Sequence, residues 1–260
     1  MMAVHLEQIL KSLEGRIMDL SLFTCRNTVL KNLPQLDFKT VIHHCKLVQL
    51  QPSEVVNDTD MNIETIFFPI DCIISLVYES FNGKATEIAS IGNDGVMGSE
   101  ICLNENPSKF TAITTHAGWA YRMKKSAFLE QFNNLETFRY NILNYLQNQN
   151  TQIAYTGICN KLHKLEQQYC KFLLLCKDWV QGELLFTQEK IAYVLGVRRE
   201  SITDTAMKLS NAEIIDYQRG KIQILNPQAL ETHSCECYHA IKSTLKYENV
   251  IPQTVLYKTA

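Results

Sequence analysis

Apolar residues recur along this chain in three textures, and the changes between them mark its organisation. Near the start Leu6, Ile9, Leu10 and Leu13 share one helical face, and Leu30, Leu33, Leu36, Val41 and Ile42 continue the spacing loosely. Short helices are therefore predicted up to about residue 50. From Leu47 to Met123 the pattern changes to short β-branched and aromatic runs: KLVQL, IETIFF, CIISLVYE, ATEIASI, FTAITT and GWAYRM. Turn residues at Asn57-Asp58, Asn82-Gly83, Gly92 to Gly95 and Ala117-Gly118 separate them, which predicts a compact antiparallel sandwich or β-roll.

From about Ser126 the glycines nearly vanish, and Phe128, Leu129, Phe132, Leu135, Phe138, Ile142, Leu146 and Ile153 recur every three or four residues. This spacing predicts one long amphipathic helix over 126–160. A small sandwich is not expected to cover so long a stripe, so Leu135, Phe138, Ile142, Leu146 and Ile153 are expected to pair with a second copy in a two-fold dimer. Asn148, Gln149, Asn150 and Gln152 interrupt the stripe and read as a solvated face. A further helix is predicted from about Leu162 to Trp179, with Leu165, Tyr169, Phe172, Leu173 and Cys176 inward.

The most informative stretch is TQEKIAYVLGVRRESITDTAMKL, from Thr187 to Leu209. Thr187 is a good N-cap, Glu189 suits a first turn, and Ile191, Val194 and Leu195 give a short helix its apolar face. Gly196 can take the left-handed conformation that ends it. A second helix follows with Ile202, Ala206 and Leu209 inward. Ala192, Gly196 and Ile202 supply the three things a tight helix-turn-helix needs: a small residue where the helices touch, a glycine in the turn, and a branched residue beneath the second helix. The motif would place Arg198, Arg199, Glu200 and Ser201 in a major groove, where such side chains bond guanine, cytosine and phosphate. Downstream, Ile222 and Ile224 alternate with Lys221 and Gln223 after a tight turn at Arg219-Gly220. This reads as a hairpin wing whose Arg219 and Lys221 would meet phosphate.

Composition changes this picture little. The 260 residues carry a formal net charge of -2, so any DNA contact must come from a local surface rather than a general basic excess. MMAVHLEQIL does not read as a signal segment, and no apolar run is long enough to span a bilayer, so a soluble cytoplasmic protein without a membrane partner is expected. Nine cysteines, from Cys25 to Cys237, show no repeated CxxC spacing, which argues against a disulfide scaffold. The expected division is 1–125 for N-terminal helices and sensor β-roll, 126–160 for the dimer helix, 161–240 for the winged helix-turn-helix, and 241–260 for a tail. The fold class is α+β.

The segment LLFTQEKIAYVLGVRRESITDTAMKLSNAEIIDYQRGKIQIL resembles the C-terminal domain of Crp/Fnr-type transcription regulators. FFPIDCIISLVYE, GNDGVMGSEICL and WAYRMKKSAF are similar to that family's cyclic-nucleotide-binding-like β-roll. The resemblance spans about residues 30 to 240. It implies a homodimer on a palindromic operator in double-stranded DNA, with recognition helices in major grooves about 34 Å apart, and RNA polymerase as a further partner. It places Arg199, Glu200 and Thr203 at base edges, and Arg198 and Ser201 at phosphate. Asp204 departs from the family, many of whose members have arginine there, so the half-site cannot be borrowed from them.

The sensor departs further. Members that bind cyclic nucleotides present a Gly-Glu pair and an Arg followed by a small residue; the counterparts here are Gly98-Ser99, with Glu100 one place late, and Ser108-Lys109-Phe110. Gly98, Ser99, Glu100, Ser108 and Lys109 are the expected effector pocket, but without the bidentate arginine a cyclic phosphate loses its charge-assisted pair, which argues against that ligand. No cofactor and no metal is expected. Cys25, Cys45 and Cys72 are too far apart for an iron–sulfur cluster; Cys235 and Cys237 in SCECY could coordinate metal or sense redox, but a lone CxC is a weak signal and they read as buried structural thiols. Two rivals stand beside the regulator. A β-roll metal enzyme needs converging histidines and a carboxylate, yet the strands offer His116 and little else. An effector-binding adaptor would use the helix-turn-helix for protein contacts alone.

Overall fold

The computed structural model describes residues 25–81, 83 and 85–244. The apolar face of Leu6 to Leu13, Asn82 of one expected turn and the chain beyond 244 lie outside the described residues.

Two short helices open the fold, α1 (Thr28–Lys31) and α2 (Gln35–His43). Asn27 caps α1 by accepting from the Leu30 N–H, while its own amide donates to the carbonyls of Pro69 and Gly95 at 3.0 and 2.9 Å. One buried side chain thus ties this segment to the end of a strand and to a loop. Leu36, expected inside with its neighbours, is 76% exposed, because the core-facing side of α2 is formed by Phe38 and Val41 with Ile42 beside them.

Seven strands follow: β1 (Cys45–Leu50), β2 (Val55–Asn57), β3 (Thr65–Pro69), β4 (Ile73–Glu79), β5 (Ala85–Ile91), β6 (Thr111–His116) and β7 (Gly118–Lys124). They form two antiparallel sheets, ordered β1-β7-β3 and β2-β6-β4-β5. Leu50, Phe67, Ile74, Ile91, Met97 and Ala120 fill the space they enclose. The short β2 escapes a pattern reading because three residues give no period to detect. The Ala117-Gly118 step lets the chain leave one sheet for the other. Strand β4 lacks alternation because both its faces are covered: Ile74 points into the β-roll and Ile73 into the core of the C-terminal half.

The predicted single helix is two: α3 (Lys125–Asn134) and α4 (Glu136–Leu162), broken where Leu135 is extended. Arg139 reaches back to the Phe132 and Asn133 carbonyls that the break leaves over, as a cation at a helix C-terminus does. The break also corrects the expected dimer stripe. Phe138 and Ile142 are fully buried inside the chain, with Phe138 against Phe68 and Phe128 at ring separations of 6.4 and 5.5 Å. Leu135 and Leu146 pack partly buried on the same cluster. The β-roll and N-terminal helices together cover more of this stripe than the sandwich alone could. The exposed line along α4 is instead Leu143, Gln147, Asn150, Ala154, Gly157, Ile158 and Lys161, while Ile153 is half-buried.

Helix α5 (Leu165–Trp179) buries Tyr169, Phe172, Leu173 and Cys176. Beyond it come β8 (Leu184–Leu185), α6 (Gln188–Leu195), α7 (Arg199–Asn211), β9 (Ile215–Gln218), β10 (Lys221–Ile224), α8 (Pro227–Thr232) and α9 (Cys237–Thr244). Leu184–Leu185 adds a third strand to the wing, whose order is β8-β10-β9. Among the described residues, no helix is long and apolar enough to cross a membrane.

Candidate nucleic-acid interface

Helix α6 starts where Thr187 Oγ1 accepts the Lys190 N–H at 3.1 Å and stops at Gly196, whose φ is +67°. The Val197 N–H returns to the Ala192 carbonyl at 3.0 Å, closing the turn. Ala192 and Ile202 are buried with Ala206 and Leu209 between the two helices. Arg198 is extended at the N-cap position of α7, with no side-chain capping bond, so the helix begins at Arg199. Arg198, Arg199, Glu200 and Asp204 are exposed, and Ser201 is half-buried. This leaves two guanidinium groups and two carboxylates at the free end and face of α7.

Thr203, expected at a base edge, has its hydroxyl engaged within the motif. Its hydroxyl lies 2.6 Å from Gln188 Oε1 and 3.1 Å from the Arg199 carbonyl, so its single proton is held within the motif, locking α6 to α7. In the wing, Arg219 and Gly220 both have positive φ, +49° and +83°, the geometry of a two-residue hairpin turn. Arg219 is exposed at its tip, and Lys221 pairs with Glu183 at 2.9 Å.

The β-roll meets this module directly. The turn at Gly196 sits against Thr86 of β5, where an added Cβ would lie 3.2 Å from the threonine Oγ1. Gly92 faces the Trp179 indole so closely that a Cβ would fall 2.0 Å from its Cγ. His116 and Phe172 flank Phe186 at 5.5 and 5.2 Å. A crevice between β5, α4, α5 and α6 is lined by Glu87, Ser90, Gln152, Asn160, Lys171 and Trp179. Burial pushes the Glu87 carboxyl above its ordinary range, with Ser90 Oγ donating to it at 2.6 Å.

The residues aligned with an effector pocket do not fit a cyclic phosphate. Lys109 is exposed and paired with Asp60 at 2.7 Å. The Ser99 hydroxyl donates to the Val96 carbonyl, and Gly98 lies against Ile63 and Ile66. Glu100 stands on a short 3-10 turn, Ser99–Cys102, its carboxyl raised by burial, and Ser108 Oγ donates to the Phe110 carbonyl. No cation is left facing an anion there among these five residues.

One constellation escapes the sequence reading. Cys159 and His163 at the end of α4 come together with Cys235 and Cys237, all four ligand atoms lying within 4.8 Å of one another. The expectation of no metal and of merely structural thiols is corrected to a candidate Cys/His metal site. The signal is present as CxxxH across the end of α4 and CxC 76 residues after the first cysteine, but only the fold makes them neighbours.

Residues 167–233 match the family described as the Crp-like helix-turn-helix domain. No curated protein matches the chain. Among solved structures, FixK2 from Bradyrhizobium japonicum is similar with a TM-score of 0.63 at 13% identity, covering 74% of this chain and 98% of that one. TTHB099, a CRP-family transcriptional regulator from Thermus thermophilus, has a TM-score of 0.59 at 16% identity, over 72% and 96%. A Crp/Fnr-family protein from Eubacterium rectale has a TM-score of 0.59 at 15% identity, over 80% and 98%. Identities this low establish the fold, whereas the match over 167–233 bears on the reading module itself. The chain thus carries a Crp-like helix-turn-helix domain over residues 167–233 and shares the fold of solved Crp/Fnr-family structures.

Proposed function

We propose that the protein works as a homodimer in the cytoplasm, reads a two-fold symmetric operator through α7, and adjusts its affinity through the β-roll. The observation that carries this is the free end of α7: Arg198, Arg199 and Glu200 stand in solvent on a rigid, capped two-helix scaffold. Arg199 and Glu200 would read base edges, while Arg198, Ser201 and Arg219 would meet phosphates and set the register. Lys221 would join them by exchanging Glu183 for a phosphate. Thr203 would contribute by fixing α7 against α6, leaving its methyl group for a base.

The second copy would lie along the exposed line of α4. Leu143 and Ile158 supply apolar area there, and Ala154 and Gly157 let two helices approach closely. Signal transfer would use the seam where β5 touches the Gly196 turn and Trp179 touches the β5 loop, two arrangements of which would set different spacings of the paired α7 helices. RNA polymerase would be met from the DNA-bound dimer.

Selection of bound duplexes from a random pool by the full-length protein tests this reading. A two-fold symmetric consensus with half-sites one helical turn or a multiple apart is expected. An asymmetric consensus, or binding without salt dependence, would favour an adaptor whose motif contacts protein.

A further inference from the structure

We propose that Cys159, His163, Cys235 and Cys237 are the four ligands of a zinc ion that clamps the end of α4 to the C-terminal segment of the DNA-reading half. The site does not rest on the DNA-binding assignment.

The geometry is close to that of a bound tetrahedron. Cys159 Sγ and Cys235 Sγ are 3.5 Å apart, and Cys237 Sγ is 3.6 Å from His163 Nδ1. With zinc–sulfur bonds of about 2.3 Å, the edges of a tetrahedron measure about 3.8 Å; these two edges are close to that, and every other pair of ligand atoms lies within 4.8 Å. The three thiols are buried, yet they do not belong to the large apolar cores; they form a separate small cluster with Tyr155 alone beside them. Thiols acting as small hydrophobes would join the core.

The surroundings are those a metal histidine requires. His163 Nε2 lies 3.1 Å from Glu236 Oε1, an arrangement that holds the ring proton on Nε2 and leaves the Nδ1 lone pair facing the thiols. The Gln168 amide donates to the carbonyls of Cys159 and His163 at 3.3 and 2.9 Å, fixing the last turn of α4 so that both ligands share one face. Three thiolates around a dication leave one negative charge, and buried Lys171 lies near enough to favour it.

Three sulfurs and one imidazole select a soft or borderline ion of tetrahedral habit. Ligands that converge on a single point suit one ion rather than an iron–sulfur cluster, whose ligands must stand around several. All four positions are filled by protein, so the role is structural. On binding, zinc displaces the three thiol protons to solvent. The clamp closes a loop of chain running from Cys159 to Cys235 that contains the whole helix-turn-helix and wing. Metal occupancy would thereby tie the end of α4 to the segment that follows the wing.

The test uses the full-length protein, purified without chelator and without added metal. One equivalent of zinc per chain is expected by elemental analysis. Cobalt(II) added to reduced, chelator-stripped protein should give thiolate charge-transfer and tetrahedral ligand-field bands that saturate at one equivalent. Glu236→Gln, on an exposed carboxylate that carries no fold, should weaken cobalt binding by about 10- to 100-fold. Cys237→Ser should remove thiolate intensity, whereas Cys25→Ser should leave the spectrum unchanged. The proposal is overturned if the wild-type chain holds no zinc and gives no tetrahedral cobalt spectrum. It is overturned equally if peptide mapping of untreated protein finds Cys159 and Cys235 joined as a disulfide.

Discussion

The indole Nε1 of Trp179 donates a 2.7 Å hydrogen bond to the Asp94 carboxylate, and Asn93 Nδ2 donates to the Trp179 backbone carbonyl at 3.2 Å. The last residue of α5 is thus fastened to the loop after β5, with Gly92 leaving room for the ring. The β-roll and the C-terminal half meet at this latch.

Burial pushes the Asp94 carboxyl from 3.8 up to about 6, more than the Trp179 hydrogen bond pulls it down. A carboxyl raised on folding contributes stability below its unfolded value, and that contribution is lost as pH rises through the folded value. Stability assigned to Asp94 should therefore fall between about pH 4 and pH 6, by about 3 kcal/mol in all. Asp94→Asn keeps an acceptor for the indole and should flatten the profile in that window. Denaturant unfolding across pH 4.5 to 8 checks this, and parallel profiles for the two proteins would remove the assignment.

Arg199→Ala should lower affinity for the selected operator by about 1–3 kcal/mol and relax preference at one base pair in each half-site. Competition binding against operators varied at each position measures it. Full retention of the preference would show that Arg199 reads no base.

Lys221→Ala should weaken all DNA sequences evenly and reduce the salt slope by about one. Its exposed pair with Glu183 stabilises the fold by only about 0–1 kcal/mol, so thermal melting should hardly move. An unchanged salt slope would place Lys221 off the DNA.

Gly196→Ala forces a side chain into φ +67° and against Thr86. A loss of about 1–2 kcal/mol is expected from the backbone conformation. Adding Thr86→Ala should recover only the smaller, steric part. A neutral Gly196→Ala would mean the turn rearranges freely.

Leu143→Glu with Ala154→Glu alters the exposed line of α4 and touches no buried residue. Monomers are expected in sedimentation, together with about a hundredfold loss in affinity for a two-site operator. Dimers that persist would move the interface elsewhere.

The reading module is plain in the sequence because its rules are local. Thr187, Ala192, Gly196 and Ile202 act within a few residues of one another, and the wing follows from two alternating isoleucines and a tight turn. The strands of the β-roll are visible where a run reaches five residues, and β2 is not. What sequence does not assign is which surface covers which. Phe138 and Ile142 carry the spacing of an interface, yet they are sealed by Phe68 and Phe128, which lie in separate stretches of chain. Thr203 has the position of a base contact, but its hydroxyl is occupied by Gln188 from the preceding helix. Cys159 and His163 meet Cys235 and Cys237 only through the path of the whole C-terminal half.

Ile73 of strand β4 lies in the same apolar cluster as Phe172, Trp179 and Phe186, and this has a bearing on how such a protein can be divided or changed. The two halves were not built as interchangeable parts. Removing the first 160 residues would uncover the Trp179 and Phe186 rings where Ile73, Gly92 and His116 now lie against that cluster. Grafting a foreign β-roll in its place would require recutting the aromatic face on which it rests, so the two halves are constrained to vary together.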